Sequence, residues 1–227
     1  MPYNSKLSDV DCSELNSIEK ELNKLLDKSF REVREYSCAI CKTASGKIYL
    51  SEPSKGTKFR LKTLSSAMAE SKPILKCKND DIVIGELHTH PYMYGDTPSE
   101  IDIHSWIRIK KPSIFDFGKR KLKKKNLKWL CISTFDDNGF KTTCYDADEM
   151  LKEKDKIPNI LDFTYRWSHN IINIPHCVIT YKPNDKEFKE LIKENTKELN
   201  RLYQEMREKE RKYQEEQLKK GKIVIVT

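Results

Sequence analysis

Between Gly85 and Asp102 the chain reads GELHTHPYMYGDTPSEID, a stretch rich in residue types that bind metal ions. Side chains alternate faces along a β-strand, so Glu86, His88 and His90 share one side and both imidazoles can reach a single ion. Asp102 lies twelve residues beyond His90 and can add a carboxylate from the first turn of a helix. Two neutral imidazoles and one carboxylate leave the fourth tetrahedral position open for water, as a catalytic zinc ion requires. Zinc in such a site lowers the pKa of bound water to about 7, which makes hydroxide available at neutral pH. The residues also have a plainer reading. Ser99-Glu-Ile-Asp102 has the form of a helix capping box, in which Ser99 and Asp102 only satisfy backbone N–H groups.

These residues need elements to hold them. DIVIGELHTH begins as a buried strand and runs into the histidines, and SEIDIHSWIRI after Pro98 predicts a helix starting at Ser99. Upstream, residues 13–34 predict a helix capped by Ser13, with Leu15, Ile18, Leu22, Leu25 and Leu26 on one stripe. YSCAICKT and KIYLSEP follow as two strands joined at Ala44-Ser45-Gly46. Residues 56–76 are ambiguous between a strand from Thr57 and a short helix around Leu64–Ala69. Residues 127–135 and 139–145 form a second hairpin across Asp136-Asp137-Asn138. Residues 146–183 are mixed, with CVITY a strand near the end.

His88-Thr89-His90-Pro91 followed by Ser99-x-x-Asp102 resembles the signature of the JAMM (JAB/MPN-plus) zinc metalloproteases. The longer string from Gly85 to Pro91, with Trp106 after it, is most similar to prokaryotic-type JAB domains. The resemblance implies an α/β class, with a JAB/MPN-like three-layer fold whose curved mixed sheet is flanked by helices. It implies an isopeptidase or peptidase acting on a ubiquitin-like modifier conjugate or another protein tail, with one Zn2+ held by His88, His90 and Asp102. It also implies that Ser99 hydrogen-bonds the oxygen of the tetrahedral intermediate and that an upstream glutamate serves as general base. Glu35 is the best positional match for that glutamate and Glu32 the second; Glu86 sits on the histidine strand and can instead orient an imidazole. Eight residues, Pro91 to Pro98, separate His90 from Ser99, one more than is usual in the family, which makes Asp96 the alternative carboxylate.

The rest of the chain bears on partners. A net charge of +8 favours an acidic partner without choosing its kind. Much of that charge lies in residues 108–128, which hold ten Lys or Arg against one Asp, with Ile114, Phe115 and Phe117 between them. Such a segment can grip an acidic surface or nucleic acid, or can stand as a solvated insertion. From Asp185 to about Lys220 charge dominates, and Phe188, Ile192, Asn195, Leu199, Leu202, Met206, Lys209 and Tyr213 alternate at heptad spacing. That predicts a charged helix of ~54 Å, able to self-associate, dock a partner or cover the core. The domain boundary is accordingly expected near 183, with residues 1–183 the JAB/MPN-like part and 184–227 the helix and a short tail, KIVIVT, read as a strand. A non-catalytic MPN-type scaffold and a nucleic-acid-associated JAB protein are the rival functional readings.

No apolar run approaches the ~20 residues of a membrane span, and the N-terminus lacks an apolar signal core, which leads to a cytoplasmic expectation. The seven cysteines are odd in number and scattered, and are expected to be buried and unpaired. Cys38 and Cys41 would point to opposite faces of a strand and so would not converge on a metal.

Overall fold

The computed structural model describes residues 10–58, 77–78, 81–93, 98–99, 102–103, 106–107 and 127–220. Its centre is a curled mixed sheet of seven strands: β1 (Arg34–Lys42), β2 (Ile48–Leu50), β3 (Ser54–Lys58), β4 (Ile82–Met93), β5 (Trp129–Asp136), β6 (Gly139–Asp146) and β7 (His176–Tyr181). The order is β2-β1-β4-β5-β6-β7, with β3 pairing beside β2 on the same edge of β1. Every pairing is antiparallel except β4 with β5, which is parallel. Both expected hairpins form; at the first, the turn is made by Gly46 at φ 88°, a backbone conformation that suits glycine.

Four helices are described: α1 (Glu19–Glu32), α2 (Ala147–Lys156), α3 (Ile160–Ser168) and α4 (Asp185–Lys219). They cover both faces of the sheet. Leu22 and Leu25 of α1, with Leu15 and Ile18 of the preceding 3-10 turn, pack on Tyr36, Cys38, Leu87 and Cys131. On the other face Leu130 and Ile132 meet Ile103, Trp106, Met150, Phe163 and Trp167. β5 alternates between the two cores and is buried almost throughout, as a central strand in a parallel pair must be.

Several expectations are corrected. The first helix begins as a 3-10 turn, Ser13–Ile18, whose N-cap is Cys12 with no side-chain cap, and the Asp11 carboxylate accepts the Ser13 N–H in place of the expected Ser13 cap. Residues 146–183 resolve into α2 and α3 ahead of β7, with Asp146 and Asn159 capping the two helices through their side chains. Six of the seven cysteines are paired: Cys12–Cys177, Cys41–Cys77 and Cys131–Cys144. The sheet makes this possible, since Cys131 and Cys144 are direct partners across β5 and β6. Cys38 alone is free; it faces the opposite side from Cys41, and burial pushes its thiol up to about 12. Unpaired cysteines would have agreed with a reducing, cytoplasmic compartment, and the pairing removes that support. Among the described residues no helix is long and apolar enough to cross a membrane.

The first turns of α4 belong to the main core. Phe188 and Leu191 pack with Leu26, Phe30, Phe135 and Phe140, while Tyr203 and Tyr213 further along are exposed. Positions 108–126 of the basic segment, Asp96, the ambiguous residues 59–76 and the tail 221–227 lie outside the described residues.

Candidate metal centre

β4 delivers the histidines. Its alternation places Glu86, His88 and His90 on the face shared with Leu130 and Ile132, because Glu86 pairs with Leu130 and His88 with Ile132. The carboxylate comes from the chain after Pro98. Ile103 N–H donates to the Ser99 carbonyl at 3.1 Å, which starts a helical turn at Ser99. Ile103 and Trp106 on that turn are buried in the core beside Leu130 and Ile132, and this anchors Asp102 over the strand. Trp106 also packs on the His88 ring, centroid to centroid 5.7 Å.

The three side chains converge. Nε2 of His88 lies 3.2 Å from Nε2 of His90, Asp102 Oδ1 is 3.4 Å from the first, and Asp102 Oδ2 is 3.6 Å from the second. Side-chain exposures of 12 %, 4 % and 18 % put the cluster just below the surface, with His90 deepest. These three can hold one metal ion. A tetrahedral ion bonded at about 2.0–2.1 Å sets its donors about 3.3–3.4 Å apart, and the spacings among the two imidazole nitrogens and the carboxylate oxygens are of that size, with a fourth corner left over. The extra residue between His90 and Ser99 does not keep Asp102 from the histidines.

Asp102 also completes the capping box, so the two readings of Ser99-x-x-Asp102 hold together. Ser99 N–H donates to Asp102 Oδ2 at 2.7 Å, and Asp102 N–H donates to Ser99 Oγ at 3.3 Å. The Ser99 hydroxyl, on an exposed residue, keeps its own proton to donate. Charge is arranged to hold a cation. Burial pulls the His88 pKa down, but Asp102 first, then Glu86 and Glu35, outweigh it and raise it to about 9. Burial would raise Asp102, yet His88 and His90 hold it well below the usual carboxylate range.

Among the glutamates, the structure separates Glu32 from the site. Its carboxylate accepts from the Tyr36 hydroxyl at 2.6 Å and pairs with Lys55 at 3.1 Å. Glu35 stands on β1 two residues before Ser37, the partner of His88, close enough to help raise the His88 pKa, and it is exposed. Glu86 is buried one strand position from His88 on that face.

Compared with known proteins, the chain matches no family model, no curated protein and no solved structure. The site is therefore read from its own geometry.

Three residues around it carry no signal in the metal-ligand pattern. Thr89, between the histidines, points to the opposite face and bonds Ser29 at 2.6 Å. Asn195 of α4 donates to the carbonyls of Phe30 at 2.9 Å and Pro91 at 3.1 Å. The available hint for Ser29 is its place on the apolar stripe of α1, where a small polar residue needs a partner.

Proposed function

We propose that this chain is a zinc-dependent hydrolase of amide bonds, an isopeptidase or peptidase like the JAMM enzymes its motif resembles. The observation that carries the reading is the convergence of His88, His90 and Asp102, whose imidazole nitrogens lie 3.2 Å apart and 3.4 and 3.6 Å from the two carboxylate oxygens. The donor chemistry favours zinc, since imidazole nitrogens suit it and hard cations such as Mg2+ and Ca2+ take oxygen donors. A sheet covered by helices on both faces, with the two histidines on a central strand and Asp102 on the helical turn beside it, is compatible with a JAB/MPN-like fold.

The roles follow from position. His88, His90 and Asp102 hold the metal, and Trp106 fixes the His88 ring. Bound zinc would supply Lewis acidity and a water that ionises near neutral pH. The Glu35 carboxylate, beside the ligands and open to solvent, takes a proton from the attacking water and returns it to the departing amine nitrogen. Ser99 Oγ donates its hydrogen to the scissile carbonyl oxygen as negative charge grows there. The substrate class is a conjugate of a ubiquitin-like modifier or an extended protein tail, in which the leaving group is an amine.

The test is metal content by mass spectrometry on untagged protein, wild type beside Asp102→Ala, followed by cleavage of a ubiquitin-like fusion. The expected result is about one zinc per chain, lost or loosened in the variant, with turnover that Glu35→Gln abolishes. A wild-type protein that takes up no zinc when offered it would overturn the reading. A second reading, an MPN-type interaction module without turnover, draws on α4, which carries exposed aromatic residues such as Tyr213 beyond its docked turns. Stable capture of partners by a metal-loaded protein that cleaves none of them would favour it.

A further inference from the structure

The pairing of β1 with β4 stops at Ser37 and His88, two register steps before Glu35 would lie against His90. Beyond that point the strands are joined through side chains. The Tyr36 N–H donates to Thr89 Oγ1 at 2.9 Å, where a ladder bond would use a carbonyl. Ser29 Oγ donates to the Arg34 carbonyl at 2.6 Å and stands 2.6 Å from Thr89 Oγ1. With the Ser29 proton committed to Arg34, the bond between the hydroxyls runs from Thr89 O–H to Ser29 Oγ. Both residues are fully buried.

The destinations of these bonds are specific. The Arg34 carbonyl belongs to the peptide before Glu35, and the Tyr36 N–H belongs to the peptide after it. A pair of hydroxyls thus grips both peptide groups that flank one residue. The backbone is irregular there on each side: Val33 closes α1 at φ 44°, and the register of β1 against β3 shifts between Arg34 and Tyr36. A regular ladder cannot hold such a bulge, so other groups must. Thr89 does this from between the two histidine ligands, which makes one residue the common support of the metal donors and of Glu35.

We propose that Ser29 and Thr89 are positioning residues that set the Glu35 carboxylate against His88 and His90. This rests on the metal-hydrolase reading, in which Glu35 moves the proton. Satisfying the Arg34 carbonyl and the Tyr36 N–H is a structural need in itself; a positioning role adds that the Glu35 carboxylate moves relative to the ligands when the pair is cut.

The test uses Co2+ alone, bound to full-length protein with 13C-labelled glutamate carboxyls, the Glu35 signal being assigned by its loss in Glu35→Gln. Paramagnetic relaxation falls steeply with distance from the ion. In Thr89→Val and in Ser29→Ala, the Glu35 carboxyl should lose most of its relaxation, while Glu86, on the ligand strand, keeps its own. Thr89→Ser should restore Glu35. With a cleavable fusion, kcat should fall about 10–100-fold in the same two variants at unchanged KM. Unaltered Glu35 relaxation in both would overturn the positioning role and leave the metal site standing. A wild-type protein that binds no Co2+ would overturn the metal reading and this inference with it. Should Thr89→Val fail to fold, Ser29→Ala, off the ligand strand, decides; if neither folds, the pair is a requirement of the fold and the inference is wrong.

Discussion

The side-chain amide of Asn195 donates to the carbonyl of Pro91 at 3.1 Å, and Pro91 directly follows the metal-site residue His90. The same amide reaches the Phe30 carbonyl at 2.9 Å, in the last turn of α1. A polar residue at a heptad position usually weakens a helical seam. Here it ties α4, α1 and the end of β4 to one another, and Asn195 is nearly inaccessible to solvent. Asn195→Ala would take the side-chain donor from the Pro91 carbonyl and leave the Phe30 carbonyl only the Val33 N–H, at a cost of about 1–3 kcal/mol. The expected outcome is a lower thermal midpoint and weaker metal binding, read by calorimetry and by competition with a chelator. Removing residues 200–227 should change neither, because the docked turns of α4 end before them. Equal damage from that truncation would contradict the docking seen around Asn195.

Metal uptake should depend on pH with a definite sign. His88 is raised to about 9, so at pH 7 it carries a proton that an incoming metal ion must displace. Affinity should climb about tenfold per pH unit up to about 9 and then flatten, and calorimetry in buffers of different ionisation enthalpy should show about one proton released at pH 7. The metal-free protein follows the opposite trend. A raised His88 pKa contributes stability that is full below the ordinary imidazole value of 6.5 and is lost as pH rises through about 9. The depressed Asp102 pKa contributes above the ordinary carboxylate value of 3.8 and is lost as pH falls below it. Zinc should therefore raise the melting temperature more at pH 8.5 than at pH 6. An equal rise at both would mean that His88 is already neutral in the metal-free state.

How much of this could be read in advance depends on how local the cause is. Strand alternation alone places His88 and His90 on one face, and the capping-box form alone starts a turn at Ser99, so the donor set was legible from spacing. The disulfides were not. Cys12 and Cys177 are 165 residues apart, and only the assembled sheet brings them together. Nor could the parallel pairing of β4 with β5 be read, since it depends on the long connection between them. In α4, heptad spacing picked out Phe188 and Asn195, but the helix docks against α1 together with Phe135 and Phe140 of the sheet rather than in a regular two-helix seam. Leu191 is accordingly buried more deeply than Ile192. The residues that grip Glu35 are invisible locally because Ser29 and Thr89 are sixty positions apart.

Glu35 and His88 should separate binding from turnover. Glu35→Gln keeps the size of the side chain and removes the proton acceptor, so zinc content should stay at the wild-type level while kcat falls at least about 100-fold. His88→Ala removes a donor and should lose both. Metal analysis beside cleavage of the same fusion makes the comparison. Turnover retained in Glu35→Gln would pass the proton-transfer role to Glu86.

Two glycines offer a contrast that isolates the position of Glu35. A Cβ added at Gly56 of β3 would lie 2.8 Å from the Glu35 carbonyl oxygen and 3.2 Å from the Glu35 Cβ, so Gly56→Ala must push the two strands apart at that residue. Gly46 sits in the β1–β2 turn at φ 88° with nothing within 4 Å of an added Cβ, so Gly46→Ala strains only the turn. Its cost should be about 1–2 kcal/mol of stability, as expected for an L-residue in the left-handed region. Both variants should bind zinc as the wild type does, because neither glycine touches β4. Gly56→Ala should lose about tenfold or more in kcat, since small displacements of a catalytic group are expensive. Gly46→Ala should keep its turnover while melting earlier. Kinetics and calorimetry on the pair are sufficient, and a Gly56→Ala protein with wild-type kcat would show that the backbone around Glu35 can move without consequence for the chemistry.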